Sequence, residues 1–300
     1  MIAIKLNGLV KQYGDKKVVD DLSFAIPENS IVGFLGPNGA GKTTTFKLMA
    51  NLTSKDAGEI EILGKKVGGD KQDRNLRFLQ DVPELYGYMS AEEYLKFICE
   101  LNGLGSIDKR IRETLARVGL TGAERKRIGS FSRGMKQRIG IGASIIARPK
   151  VLLLDEPVSA LDPIGRKAVF DLLAKLRGEM TIMFSSHIID DIERVSDRVV
   201  IINHGKKVAD GTVKELSSKY LANVVEVKFA SDKDKARFNK AAKARGMKGE
   251  EQAEMLRFDT SQQDTERAIF EILAREKVRI LSFQVVAPTL EEIFMEEVAR

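Results

Sequence analysis

The sequence has one cysteine, two histidines and no apolar run that approaches the ~20 residues of a membrane-spanning helix. The lone Cys99 excludes an internal disulfide framework. Its helical spacing with the apolar residues between Tyr94 and Leu101 predicts a core position. No signal peptide precedes the first strand signal at Ile2, so a cytoplasmic protein is expected. No basic tract is interleaved with aromatics, so nucleic acid is not expected as a partner. Long repeats and low-complexity tracts are also absent.

What is present is ordinary globular composition, 43% hydrophobic and 31% charged. Three hundred residues allow one large or two moderate domains with an ample core. The formal charge is +6, and it is unevenly placed: residues 221–300 hold 14 Lys/Arg against 15 Asp/Glu, so the positive excess belongs to the first 220.

Residues 31–45 carry the strongest local signal. Ile31 to Leu35 reads as a buried strand, and Gly36-Pro37-Asn38-Gly39-Ala40-Gly41-Lys42-Thr43-Thr44 follows at once. This is the G-x-x-x-x-G-K-T phosphate-binding loop. Glycines let successive backbone N–H groups turn inward around phosphates, and a helix starting near Gly41 adds the positive end of its dipole. Lys42 is expected to reach the β- and γ-phosphates, and the Thr43 hydroxyl to ligate Mg²⁺.

Around this loop the chain alternates strands and helices. Residues 2–10 and 22–26 read as strands about a turn at Tyr13-Gly14-Asp15. Tyr13 sits on the loop tip, where an aromatic either packs or stacks on a purine. Gly58 to Val67 reads as a hairpin turning at Leu63-Gly64-Lys65-Lys66, and Arg77 to Leu79 as a short strand before Gln80 and Asp81. Ser90 caps a helix with Glu93 completing a capping box, and residues 91–120 keep helical periodicity, an all-helical insertion in the α/β pattern. Ser132 caps a further helix running to Arg148, where Pro149 stops it.

Val151 to Leu154 reads as a buried strand ending in Asp155 and Glu156. With a phosphate loop upstream, one carboxylate on Mg²⁺ and one beside the attacking water is the better reading. A helix from Pro163 to Arg177, a strand from Thr181 to Ser185 and His187 follow. A lone histidine is more often structural than catalytic. Arg198–Asn203 and Lys206–Ala209 form a hairpin in which His204 is read as a turn residue only. The remainder reads strand 223–230, helix 232–245, hairpin 247–251 with 253–259, helix 262–276 and strand 278–286, a split β-α-β-β-α-β unit. An amphipathic helix over 289–299 completes it.

In this order the motifs resemble those of the ATP-binding cassette (ABC) ATPases, the nucleotide-binding subunits of ABC transporters, over residues 2 to about 216. Gly36 to Thr44 is similar to the Walker A loop, Val151 to Glu156 to Walker B, and Ser159-Ala160-Leu161-Asp162 to the D-loop. His187 resembles the switch histidine and Tyr13 the aromatic that stacks on adenine. Phe131-Ser132-Arg133-Gly134-Met135 resembles the family signature Leu-Ser-Gly-Gly-Gln, with Arg133 and Met135 as departures. The family's Q-loop glutamine has no clear counterpart, since Gln80 follows Leu79 directly and Asp81 competes for the position. Pro288-Thr289-Leu290-Glu291-Glu292-Ile293-Phe294 and Ser132 to Arg138 are similar to segments of single-cassette drug, sodium and antibiotic exporters.

The resemblance implies an α/β P-loop ABC cassette over residues 1–220: a mixed sheet core, an antiparallel subdomain and a helical subdomain at about 84–148. An α+β ferredoxin-like accessory domain over 221–300 would complete the chain. It implies ATP and Mg²⁺ as cofactors, ATP hydrolysis, and a second cassette as a homodimer partner, with Ser132 and Gly134 facing the partner's nucleotide. Lys42, Glu156 and His187 would be catalytic, and Thr43, Asp155 and Gln80 would serve the metal. A separate transmembrane permease would hold the protein peripherally on the cytoplasmic face, seating a helix near Leu85, Tyr86, Tyr88 and Met89. A soluble ATPase of a cytosolic assembly complex is the rival. A DNA-repair ATPase would need a long coiled coil, a translation factor two cassettes, and a non-catalytic module would lack Glu156 or His187; none of these fits.

Overall fold

The computed structural model describes every residue except 69–72, 160, 220–223, 253, 260–263, 287–288 and 300. The expectations for Ala160, Pro288 and the segment ends at 223, 253 and 262 therefore lie outside the described residues. In chain order the elements are β1 (Ile2–Tyr13), β2 (Lys16–Pro27), β3 (Ile31–Leu35), α1 (Lys42–Met49), β4 (Ala57–Ile62), β5 (Lys65–Lys66) and β6 (Leu76–Leu79). There follow α2 (Ala91–Leu101), α3 (Ile107–Arg117), α4 (Arg133–Ile145), β7 (Val151–Leu154), α5 (Pro163–Lys175), β8 (Thr181–Ser186), α6 (Ile189–Val195), β9 (Arg198–Asn203) and β10 (Lys206–Gly211). The rest is α7 (Val213–Lys219), β11 (Val224–Phe229), α8 (Asp232–Ala244), β12 (Gly249–Gln252), β13 (Met255–Asp259), α9 (Thr265–Arg275), β14 (Ile280–Val286) and α10 (Leu290–Ala299).

The chain divides into Met1–Thr212 and Val213–Arg300. The division falls before α7 rather than at residue 220, because α7 packs against α10 of the second unit.

In the first unit β3, β7 and β8 are buried along their whole length. Strands covered on both faces read as continuous apolar runs, and these are the central members of a six-stranded sheet in the order β10-β9-β3-β8-β7-β6. All neighbours are parallel except the β9–β10 hairpin at the edge. Loops leaving β3, β7 and β8 therefore emerge at one end of the sheet, where open α/β sheets bind ligands. A second, antiparallel sheet has the order β2-β1-β4-β5. β1 and β2 are longer than expected, pairing from Ile2↔Pro27 to Tyr13↔Lys16. Lys11, polar by letter, is buried there with its ammonium 3.2 Å from Asp56.

The helical region is built by caps and breaks. At Ser90 the Oγ accepts from the Glu93 N–H and the Glu93 carboxylate accepts from the Ser90 N–H, which closes the capping box of α2. The periodicity over 91–120 proves to be two helices, parted where Gly103 and Ser106 take positive φ. α4 ends at Ile145 rather than Arg148. Arg148 has φ of 52°, since the residue before Pro149 is disfavoured from staying helical.

The second unit is the expected β-α-β-β-α-β arrangement, an all-antiparallel sheet in the order β12-β13-β11-β14. Its core gathers Val225, Val227 and Phe229 with Phe238, Leu256, Phe258, Ile269 and Ile272. α10 starts with another capping box: Thr289 Oγ1 accepts from the Glu292 N–H and Glu292 accepts from the Thr289 N–H. Glu292 also pairs with Arg257 of β13.

Candidate functional site

The loop after β3 owes its path to glycine. Gly41 has φ of 103°, and a Cβ there would stand 2.5 Å from the Val18 carbonyl oxygen. At Gly36 a Cβ would stand 2.6 Å from the Ile202 carbonyl oxygen. The turn between β9 and β10 braces the same loop: Gly205 donates its N–H to the Ala40 carbonyl at 3.0 Å. Gly205 has φ of 78° and lies against Val18. Pro37 closes the loop by accepting the Ala40 N–H at 3.1 Å.

Lys42, the first residue of α1, is buried, and its ammonium donates to the carbonyls of Gly36 at 2.8 Å and Pro37 at 3.2 Å. The same ammonium lies 3.4 Å from Glu156 Oε1. Thr43 Oγ1 donates to Asp155 Oδ2 at 2.6 Å. The second oxygen of that buried carboxylate accepts from Ser185 Oγ at 2.7 Å, and Ser185 Oγ itself accepts the Glu156 N–H at 2.8 Å. Glu156 has φ of 45°, a left-handed conformation that costs a non-glycine residue free energy; the bond to Ser185 helps hold it there. His187 Nδ1 lies 3.1 Å from Glu156 Oε2.

Asn38, Gly39, Gly41, Lys42, Thr43, Thr44, Asp81, Glu156, Ser159 and His187 line one cleft of about 320 Å³. The cleft thus has a backbone cradle, a cation, a hydroxyl backed by a buried carboxylate, and a glutamate between that cation and a histidine. Among the described residues no group of three or more His, Cys, Asp or Glu forms a metal site. A hard cation at the Thr43–Asp155 pair would therefore draw further oxygen ligands from phosphate and water, as Mg²⁺ does beside nucleotides. The donor set fits both a nucleoside triphosphate and that ion.

Four expected residues stand elsewhere. Gln80 lines a different cavity, about 620 Å³, together with Phe78, Leu85, Tyr94, Ile98 and Leu101. Asp81, the next residue, lines the phosphate-loop cleft instead. Asp81 accepts a hydrogen bond from Ser159 Oγ. Of the two residues that compete for the Q-loop position, Asp81 is thus the one beside the phosphate loop. Tyr13 ends β1, half-exposed, with the Lys11 ammonium 5.1 Å from its ring centroid, and it is not among the residues lining the cleft. Ser132 caps α4 by accepting the Met135 N–H, and with Gly134 it lines a third cavity shared with Arg133, Asp162 and Gly165. Of the residues that sequence reasoning missed, Ser185 was within reach, being two positions before His187. Gly205 carries no chemical signal.

The sequence profile of the ABC transporter family matches residues 19–159, and that of the "ATP-binding protein DrrA1-3-like, C-terminal domain" matches residues 211–298. The chain is 43% identical over 224 residues to the ABC transporter ATP-binding protein YxlF of Bacillus subtilis (strain 168), covering 74% of this chain and 75% of that one. It is 31% identical to the linearmycin resistance ATP-binding protein LnrL of the same strain, covering 99% of this chain and 98% of that one. Among solved structures it is similar to cbiO1 of Clostridium perfringens, part of the ABC transporter complex cbiONQ. There the TM-score is 0.67 at 26% identity, over 73% of this chain and 92% of the other. Among the described residues no helix is long and apolar enough to cross a membrane.

Proposed function

Because the chain belongs to the ABC transporter family, as one of its ATP-binding proteins, we propose that it drives export through a separate membrane subunit by hydrolysing ATP at an interface between two cassettes. The observation that carries this reading is the convergence of Lys42, Thr43, Glu156 and His187 in one cleft with the phosphate loop, with the buried Asp155 bonded to Thr43 behind it. The backbone N–H groups of Asn38, Gly39 and Gly41 to Thr44 and the Lys42 ammonium bind the phosphates. Thr43 and Asp155 would hold Mg²⁺, with Asp81 lining the same cleft as Thr43. Bound Mg²⁺ supplies charge neutralisation and alignment of phosphate oxygens. Glu156 orients the attacking water and accepts its proton, and His187 steadies Glu156 and contacts the γ-phosphate. Little covalent chemistry is asked of the protein, so positioning and charge stabilisation dominate.

Two placements support a shared site. Ser132 and Gly134 line a cavity separate from the phosphate-loop cleft of their own chain, as a pair serving a second cassette's nucleotide would. The helix N-terminus capped by Ser132 suits an anion. Tyr13, half-exposed at its strand end, is free to meet adenine. The larger cavity, with Leu85, Ile98 and Leu101 on its wall and the exposed Tyr86 and Tyr88 nearby in sequence, is the seat for a cytoplasmic helix of the membrane subunit. The protein would then sit peripherally on the cytoplasmic face. LnrL, which the chain matches end to end, is named for linearmycin resistance, and that likeness supports export of an antibiotic-like compound.

Glu156→Gln tests the chemistry. It should bind ATP as the wild type does and turn it over roughly 10²- to 10⁴-fold more slowly; near-wild-type hydrolysis defeats the assignment. The same variant, tagged and recovered with ATP from gently solubilised membranes, should bring a polytopic membrane protein with it. Recovery of soluble partners alone would sink the transporter reading.

A further inference from the structure

The two edges of the C-terminal sheet differ in kind. β12 is four residues long and carries Glu250 and Glu251, the charges that keep an edge from pairing with another chain. β14, at the opposite edge, is seven residues long and carries no charge at all. Its pairing with β11 runs regularly from Val224↔Val286 to Lys228↔Ser282, and the one irregularity falls at Leu281, near the strand's start. Five successive residues therefore present an uninterrupted outer edge.

Apolar surface gathers along the same edge. Leu281 is 63% exposed, Val285 52% and Phe270 of α9 52%. The Phe270 ring packs on Phe283 of β14 with centroids 4.6 Å apart. Val285 and Phe283 pair with Val225 and Val227, so the core-facing side of the sheet continues to this edge, with no partner strand beyond it among the described residues.

We propose that β14 pairs antiparallel with β14 of a second copy of this chain, joining two C-terminal sheets into one across a two-fold axis. Three observations favour a second copy. A neutral strand paired with itself brings no like charges together, whereas the glutamates of β12 would repel. Residues 221–300 lie within a single charge of neutrality, so two such domains meet without the repulsion that the basic first 220 residues carry. An isologous contact is also self-complementary by symmetry, and the edge supplies identical backbone donors and acceptors from each side. The inference rests on the two-cassette reading only in that a shared ATP site would bring two copies together; the strand pairing itself needs no nucleotide.

The experiment is sedimentation of the full chain without nucleotide, as wild type, as Leu281→Lys/Val285→Lys, and as Leu281→Thr/Val285→Thr. The wild type should dimerise. The lysine pair should raise the dimer dissociation constant at least about tenfold. The threonine pair, uncharged and suited to a strand, should dimerise, and all three should give the same circular dichroism. A nucleotide-independent dimer that ignores the lysines, or its absence from the wild type, overturns the proposal. ATP-driven dimerisation in the Glu156→Gln background reports separately on the cassettes. If it fails while the lysine-sensitive dimer persists, the shared ATP site falls and the β14 pairing stands.

Discussion

Ser185 ties the Asp155 carboxylate to the Glu156 backbone without being one of the residues that chemistry would name. Its hydroxyl donates to Asp155 and accepts from the Glu156 N–H, and it is fully buried. Ser185→Ala leaves a buried N–H and a carboxylate oxygen each short of a partner, a cost of about 1–3 kcal/mol that urea unfolding will measure. Because Glu156 then loses what helps fix its left-handed backbone, kcat should fall further than nucleotide affinity. Equal losses in both would assign Ser185 to folding alone. At this scale the sequence was a good guide to side-chain type and a poor one to orientation. Lys42, Thr43, Asp155, Glu156 and His187 were legible because each ends or follows a buried strand at a fixed spacing. Whether Gln80 or Asp81 faces the cleft was not, since a one-residue change of phase on leaving β6 reverses the answer.

Among the elements, the helix starts were legible wherever the cap is a side-chain device. Ser90 with Glu93, and Ser132, mark their helices as expected. The strand ends were less so. β1 and β2 continue past their apolar alternation because backbone pairing carries them to Tyr13↔Lys16, and α6 and α7 are each only seven residues long, too short for periodicity to declare them. The tail motif at 289–294 acquires a physical account: Thr289 and Glu292 are its capping box, while Leu290 and Ile293 are buried. Burial works against the charge on Glu292, but the Thr289 N–H and the Arg257 guanidinium outweigh it and hold the carboxyl below its ordinary 4.5. A depressed carboxylate contributes stability that is fully present above its unfolded pKa and is lost as pH falls through the lower folded value. The melting temperature of the C-terminal unit should therefore drop as pH is taken down through the carboxylate range, and Glu292→Gln should lower it at neutral pH and flatten that part of the profile. An unchanged profile in the variant would show that other carboxylates set the acid limb.

For the whole molecule, two separate cores mean two stabilities. Phe238 is fully buried among Phe229, Phe258 and the strands of the C-terminal sheet. Phe238→Ala should destabilise that unit by roughly 3–5 kcal/mol. Calorimetry should show a lowered transition for it beside an unshifted one for the nucleotide-binding unit, and a single merged transition moving as a whole would refute the division. The change from a βα alternation to a split β-α-β unit is a change of grammar that the sequence shows, whereas the placement of α7 depends on packing against α10, which no local signal records.

The turn at His204 and Gly205 bears on how this sequence tolerates change. It carries no catalytic group, yet Gly205 bonds the Ala40 carbonyl, and a Cβ there would come within 2.6 Å of the Val18 carbonyl oxygen at a φ that side chains avoid. In a saturation scan scored by ATP hydrolysis, intolerance should fall on the phosphate loop and on Asp155, Glu156 and His187, for their chemistry, and on this single hairpin turn, for none. Gly205→Ala should reduce ATP binding with every phosphate contact left in place. Heredity would then guard a silent glycine as strictly as the lysine whose loop it supports.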